Sequence, residues 1–161
     1  MASKKETIAS IDPQIRKGDY ASTTAAYRFS TEIEVRFRDV DTLGHVNNAV
    51  YLTYFEIARM HYWIHVLGKK AFSQYGFVVV RAECNYRSPA HIGEWLKVLA
   101  RVSELKKSSF VFSYEILEGA ISRVVADGLT VQVCFDPAKK KARAIPDDLR
   151  SHIVKFEKGL Q

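Results

Sequence analysis

Between Asn48 and Leu67 the chain runs for twenty residues without a proline or a glycine. Apolar side chains recur there at Tyr51, Phe55, Ala58, Tyr62 and Val66, the spacing of a helix of about 30 Å. Leu52, Tyr54, Ile57, Trp63 and Ile64 fill the remaining angles, so the helix is apolar nearly all round. Such a helix is stable in water when other elements enclose it. Asn47 or Asn48 can cap its start, and Gly68 can close its end. The rest of the chain must therefore supply a wrapping.

The flanking segments read as strands. Tyr27, Phe29, Thr31, Ile33, Val35 and Phe37 alternate with Arg28, Ser30, Glu32, Glu34, Arg36 and Arg38, a period of two with one wet face. After the helix come four more strands. Phe77–Tyr86 is expected to turn Val78, Val80, Ala82, Cys84 and Tyr86 toward the helix. Glu94–Leu105 offers Leu96, Val98, Ala100 and Val102, and Phe110–Leu117 offers Phe110, Phe112, Tyr114 and Ile116. In Ile121–Phe135 the inward set passes from Val124 and Ala126 to Leu129, Val131, Val133 and Phe135, so a bulge is expected near Asp127-Gly128. Pro146 opens a short helix with Leu149, Ile153, Phe156 and Leu160 on one side. One enclosed helix against a mostly antiparallel sheet of five strands is an α+β arrangement.

A length of 161 residues suits one such domain, 27–161, after an extension, 1–26, that is poor in large apolar side chains and reads as flexible. The two cysteines, Cys84 and Cys134, lie in apolar runs and read as buried thiols of a reducing, cytoplasmic setting. No apolar run is long enough for a membrane span, and no secretory signal is evident. The net charge of +6 favours anionic partners without choosing among them.

Several motifs fail on inspection. Asp39-Val40-Asp41 lacks the later calcium ligands, because Leu43 and Val50 stand at those positions. His61 and His65 are four apart on the helix but have no evident third ligand, so no metal is expected. Tyr75-Gly76-Phe77-Val78 departs from an RNA-recognition strand at Ser73, Gln74 and Val80, and nucleic acid is not expected as a partner. Lys139-Lys140-Lys141 reads as a solvated turn.

The chemistry concentrates in Arg36–Asn48. A carboxylate, Asp41, lies a few residues before a helix whose first N–H groups lack intrahelical partners. Those amides carry the positive end of the helix and can hold an oxygen that is becoming negative. A carboxylate can activate water or attack directly. Base and oxyanion donor side by side suit acyl transfer, although an acid before a helix is also an ordinary cap.

These residues resemble a known family. Asp39-Val40-Asp41-Thr42-Leu43-Gly44-His45-Val46-Asn47-Asn48-Ala49-Val50-Tyr51-Leu52, continuing to Phe55-Glu56-Ile57-Ala58-Arg59, is similar to the signature of hotdog-fold thioesterases of the 4-hydroxybenzoyl-CoA thioesterase type, above all the long-chain acyl-CoA branch. Phe77–Val80, Asn85–Ala90 and Val124–Asp127 resemble later segments of that branch in the right order. The resemblance implies a single hotdog domain that hydrolyses a fatty or aryl acyl-CoA to free acid and CoA, without a cofactor beyond the CoA of the substrate. It implies Asp41 as base or nucleophile and the backbone N–H near Asn48 as oxyanion donor. His45 and Asn47 match a His-x-Asn pair to which substrate or water positioning is assigned. Glu83 matches a catalytic glutamate of plant acyl-carrier-protein thioesterases, yet its parity sets it opposite the helix-facing residues. Tyr54, Trp63 and Phe77 are candidates for the acyl tunnel, and Arg87, Lys106 and Lys107 for the CoA phosphates. The family pairs into homodimers or homotetramers, edge to edge. A non-catalytic acyl-CoA binder or sensor, and an acyl-carrier-protein thioesterase, are the alternatives.

Overall fold

The computed structural model describes residues 26–69, 75–120 and 122–160. The expected flexible extension, apart from Ala26, lies outside the described residues. The chain forms β1 (Phe29–Glu34), a single 3-10 turn (Phe37–Asp39), α1 (Val50–Leu67), β2 (Phe77–Tyr86), β3 (Trp95–Leu105), β4 (Ser109–Glu118), β5 (Arg123–Asp136), β6 (Lys141–Ala142) and α2 (Asp147–Phe156). The sheet order is β1-β3-β4-β5-β2, with β6 paired to β5 and every neighbour antiparallel. This is the α+β architecture expected. Strands β3, β4 and β5 follow one another through short turns. By contrast β1 and β2, which flank α1 in sequence, lie on opposite edges. The helix must therefore cross the sheet face, which is how its apolar surface is covered.

Tyr51, Tyr54, Phe55, Ala58, Tyr62 and Trp63 are buried on α1. Phe55 stacks on Tyr114 with ring centroids 4.4 Å apart, Tyr62 stands edge-on to Phe112, and Trp63 stacks on Phe77. Enclosure is incomplete within one chain, since Leu52 and Met60 are exposed. Phe37 also departs from the alternation: it opens the 3-10 turn instead of continuing β1 and is 82% exposed. The inward sets expected on β3 and β4 are observed, and all eight residues are buried.

Two strands differ from expectation for one reason. The pairing of β2 with β5 shifts between Val79 and Arg81, leaving Val80 as an extra residue. Phe77 and Val79 then share the helix side with Ala82, Cys84 and Tyr86, while Val78 and Val80 do not. On β5 the bulge lies at Val125, where pairing with β4 passes from Ala126 to Val124, instead of at Asp127-Gly128. The inward residues are consequently Ala126, Thr130, Gln132 and Cys134, all buried, and the expected set Leu129, Val131, Val133 and Phe135 lies on the other face. An extra residue reverses every side chain beyond it.

The second helix is tied to the first by a buried acid. Tyr62 donates its hydroxyl to Glu157 Oε1 at 2.8 Å, and the backbone N–H of Val102, beside a bulge in β3, donates to the same oxygen at 3.0 Å. Burial raises the Glu157 pKa above the carboxylate range, and the hydrogen bonds from Tyr62 and Val102 offset this only in part. The folded chain then holds this proton more tightly than the unfolded chain does. Its contribution to stability falls as pH rises above about 4.5, the ordinary value, toward the raised folded one. A Glu157→Gln variant keeps an acceptor oxygen and cannot ionise. Its melting temperature should gain on the wild type between pH 4.5 and neutral; a constant difference across that range would refute the assignment.

Candidate active site

The loop before α1 is built on two acids with different tasks. Asp39 is buried. Its Oδ2 accepts the backbone N–H of Arg36 at 2.9 Å and Arg36 Nε–H at 3.1 Å, while Oδ1 accepts from Arg36 Nη2 at 3.2 Å. The Tyr54 hydroxyl donates to Oδ2 at 3.2 Å. Burial alone would raise the Asp39 pKa, but these donors and the Arg36 charge outweigh it and hold the carboxyl below its usual range. Asp39 thus anchors β1's exit to the first turns of α1. Tyr54, a candidate tunnel residue, is fully buried as the other half of that anchor and is not brought to a cavity wall.

Asp41 belongs to a tight hairpin closed by the Val40–Val46 bridge. Its N–H donates to His45 O at 2.9 Å, and its C=O accepts from Gly44 N–H at 3.0 Å. Gly44 turns the chain at φ 78°, in the left-handed region that glycine adopts without strain. Asp41 Oδ1 accepts Leu43 N–H at 2.8 Å, and no described residue donates to Oδ2. Half-buried, this carboxylate is positioned by the hairpin with one oxygen unengaged among the described residues.

The helix start is prepared by Asn47, whose Oδ1 accepts Ala49 N–H at 3.0 Å and whose carbonyl accepts Val50 N–H at 2.9 Å. The expected side-chain cap is not made: the helix begins at Val50 with Ala49 as its N-cap, and Asn47 closes the turn that precedes it. Asn48 is exposed, its carbonyl accepts the Tyr86 hydroxyl at 3.0 Å, and its N–H meets no acceptor among the described residues. His45 stands edge-to-face with His91, ring centroids 5.1 Å apart. His91 contacts Glu94, which pairs with Arg123 at 3.3 Å. This His91–Glu94–Arg123 chain behind the loop was not legible in the sequence, because Arg123 lies on β5, far along the chain from the His91–Glu94 turn.

The other expected residues scatter. Glu83 is on the outer face of β2 and accepts from Arg81 Nε–H at 2.6 Å, away from α1 as parity indicated. Arg87 pairs with Asp127 at 2.5 Å near the helix start, whereas Lys106 pairs with Glu104 at 3.5 Å in the β3–β4 turn beside Lys107. Arg87 adjoins Val125 and the turn adjoins Val133 on β5, eight residues or about 26 Å apart. The three cations therefore do not converge on one phosphate cluster within a chain. Burial pushes the Cys84 thiol up to about 11, so it is protonated at neutral pH and is no nucleophile.

A cavity of about 380 Å³ opens between the middle of α1 and the edge strand β2. Ile57, Met60, Trp63, Phe77 and Val79 make its apolar wall, and Glu56, Arg59 and Gln132 add polar groups. Trp63 and Phe77 are the expected residues that reach it. The sequence reading missed Gln132 because the displaced bulge had assigned it to the other face. Size and lining are those of a small-molecule site.

The comparisons with known proteins decide the family. Residues 35–153 match the sequence profile of the thioesterase-like superfamily. The chain belongs to that family. The long-chain acyl-CoA thioesterase FadM of Escherichia coli K12 is 34% identical over 133 residues, covering 80% of this chain and 98% of that protein. The acyl-CoA thioester hydrolase YbgC of Escherichia coli O6:H1 is 28% identical over 128 residues, covering 75% of this chain and 92% of YbgC. A thioesterase of Thermus thermophilus, solved with coenzyme A and zinc, superposes with a TM-score of 0.73 at 32% identity, covering 82% of this chain and 96% of that one. The helix laid across an antiparallel sheet is the hotdog domain of these thioesterases. No described helix is long and apolar enough to cross a membrane.

Proposed function

We propose that this thioesterase-family chain hydrolyses an acyl-CoA thioester, with Asp41 as base or nucleophile and the Asn48 N–H as oxyanion donor. The observation that carries the reading is the pairing of a positioned carboxylate oxygen with an unengaged helix-start amide on the same loop. Asp41 acts on the thioester carbon directly or through water. The Asn48 amide, with the positive end of α1 behind it, stabilises the oxygen that gains charge. His45 and Asn47 position the loop around that centre, Arg87 is the cation at the right end to meet a CoA phosphate, and the cavity takes the acyl group. The test is thiol release from palmitoyl-CoA followed with a thiol reagent. Release above the uncatalysed rate supports the reading, whereas a melting-temperature shift with no release would replace it with a binding role.

A homo-oligomer belongs to the same proposal. Among the described residues strand β2 is an edge with one side unpaired, and Val78, Val79 and Val80 are exposed on it, Val80 at 59%. An apolar open edge invites a second copy, and antiparallel pairing of two β2 strands would also close the cavity from its open side. A Val80→Lys variant should shift the elution volume on size exclusion toward the monomer; an unchanged volume would count against this edge as the interface. A cytoplasmic setting and a part in lipid metabolism complete the proposal, supported by the unpaired thiols Cys84 and Cys134 and by the apolar cavity.

A further inference from the structure

Most of the exposed cations stand away from the Asp41 loop and gather at one corner. Lys106 and Lys107 occupy the β3–β4 turn, and Lys139, Lys140, Lys141 and Arg143 lie in and just after the β5–β6 hairpin, all six exposed. The two turns are joined. Cys134 N–H donates to Ser108 O, Arg143 N–H to Cys134 O and Ile145 N–H to Lys107 O, each at 2.9 Å. Arg150 on α2 reaches the same corner and donates to Lys106 O. The nearby acids are engaged. Glu104 pairs with Lys106 at 3.5 Å, and Asp136 Oδ1 accepts the N–H groups of Ala138 and Lys139. Asp147 and Asp148 open α2, where Asp148 accepts the Tyr75 hydroxyl. Among the described residues the five exposed cations other than Lys106 make no ion pair. Residues 104–109 and 136–143 together carry a net charge of +4, against +6 for the whole chain.

A field of that sign, spread over two turns and borne mostly on lysine, suits an extended anionic surface. Clusters of about four to eight Lys and Arg are the pattern that holds anionic lipid headgroups. Neither turn exposes an aromatic side chain on which a nucleic acid base could stack. The corner also lies at the end of the sheet away from Arg87 and the helix start, so it is badly placed for a soluble acidic carrier that must deliver a thioester to Asp41. The cavity favours a bilayer. Phe77, on the cavity wall, pairs with Cys134, which is bonded to Ser108 in the lysine turn. A membrane held at this corner therefore meets the end of the apolar cavity farther from the Asp41 loop.

We propose that this basic corner is an electrostatic docking surface for a bilayer that carries anionic lipid, and that it brings the cavity against the phase in which long acyl chains reside. Attachment is independent of the hydrolase reading, whereas its use rests on the cavity's taking an acyl group. Neither turn exposes a large apolar side chain to enter the hydrocarbon, so the attachment is peripheral and screened by salt.

Cosedimentation with vesicles tests this. The full chain should pellet with vesicles of equimolar phosphatidylglycerol and phosphatidylcholine at about 0.1 M salt, and leave them at about 1 M, where screening acts within about 3 Å. Vesicles of phosphatidylcholine alone should leave it in solution. A chain carrying Lys139→Gln, Lys140→Gln and Lys141→Gln should bind about a hundredfold more weakly, at about fivefold per cation. Its melting temperature, and its thiol release from octanoyl-CoA free in solution, should match the wild type. Equal binding to both kinds of vesicle, undiminished binding by the variant, or no binding at all would overturn the proposal. Displacement from the vesicles by free coenzyme A would assign these cations to the substrate's phosphates and overturn it as well. Tighter retention on double-stranded DNA or on an acyl carrier protein than on the vesicles would do the same. Vesicle binding without any thiol release would leave the docking surface standing and sink the hydrolase reading, whereas release without vesicle binding would do the reverse.

Discussion

An Asp41→Asn chain should fold as the wild type does and lose nearly all thioester hydrolysis, with kcat down by about 10²–10⁴-fold. The geometry separates the two effects. Leu43 N–H bonds to one side-chain oxygen, and an asparagine supplies that oxygen as well, so the hairpin keeps its turn. What is removed is the negative charge and the second oxygen, which the hairpin does not use. The loss falls on any mechanism in which Asp41 attacks or activates water. Thiol release under saturating palmitoyl-CoA, together with the thermal midpoint, checks this. Unchanged turnover would remove Asp41 from the mechanism, and a large fall in midpoint would give it a structural task instead. The neighbouring Asp39 differs in kind, since its oxygens are bound by Arg36 and Tyr54 and its charge serves the fold.

The second large effect is on stability. Gly128 lies beneath α1 on the helix-facing side of β5, next to Phe55, and it pairs with Cys84 on β2. A Cβ at this position would come within 2.8 Å of Phe55 Cε2 and would also press on the backbone carbonyl of Glu83. Phe55 cannot yield freely, because it is fully buried and stacked on Tyr114. The backbone of β2 cannot yield without breaking its ladder with β5. Gly128→Val should therefore destabilise the fold by about 3 kcal/mol or more, at or beyond the upper end of overpacking costs. Chemical denaturation would read this as a midpoint lowered at constant slope. A loss below about 1 kcal/mol would mean that the helix can ride up on the sheet, and that the approach is looser than its geometry implies.

The loop between β1 and α1 was legible because its chemistry is local. The turn at Gly44, the turn held by Asn47 and the spacing of Asp41 from the helix start all depend on residues within one short segment. The resemblance to thioesterases lay in the same segment, for the same reason. The cavity was not legible. Its wall joins Glu56 on the helix to Phe77 on an edge strand and Gln132 on the next strand inward, and no local pattern announces that meeting.

By itself the sequence determined the helix, its end at Gly68, the strand periods on β3 and β4 and the acid before the helix. These follow from propensity, capping and the two periodicities of the backbone, which act over a few residues. The tertiary structure alone decided where the bulges fall. A bulge is a property of two paired strands: the alternation within β5 is equally regular whichever face is inward, and its partners on either side set the choice. That single-residue shift turned Leu129, Val131, Val133 and Phe135 away from the helix and brought Gln132 to the helix-facing side, among the residues that line the cavity.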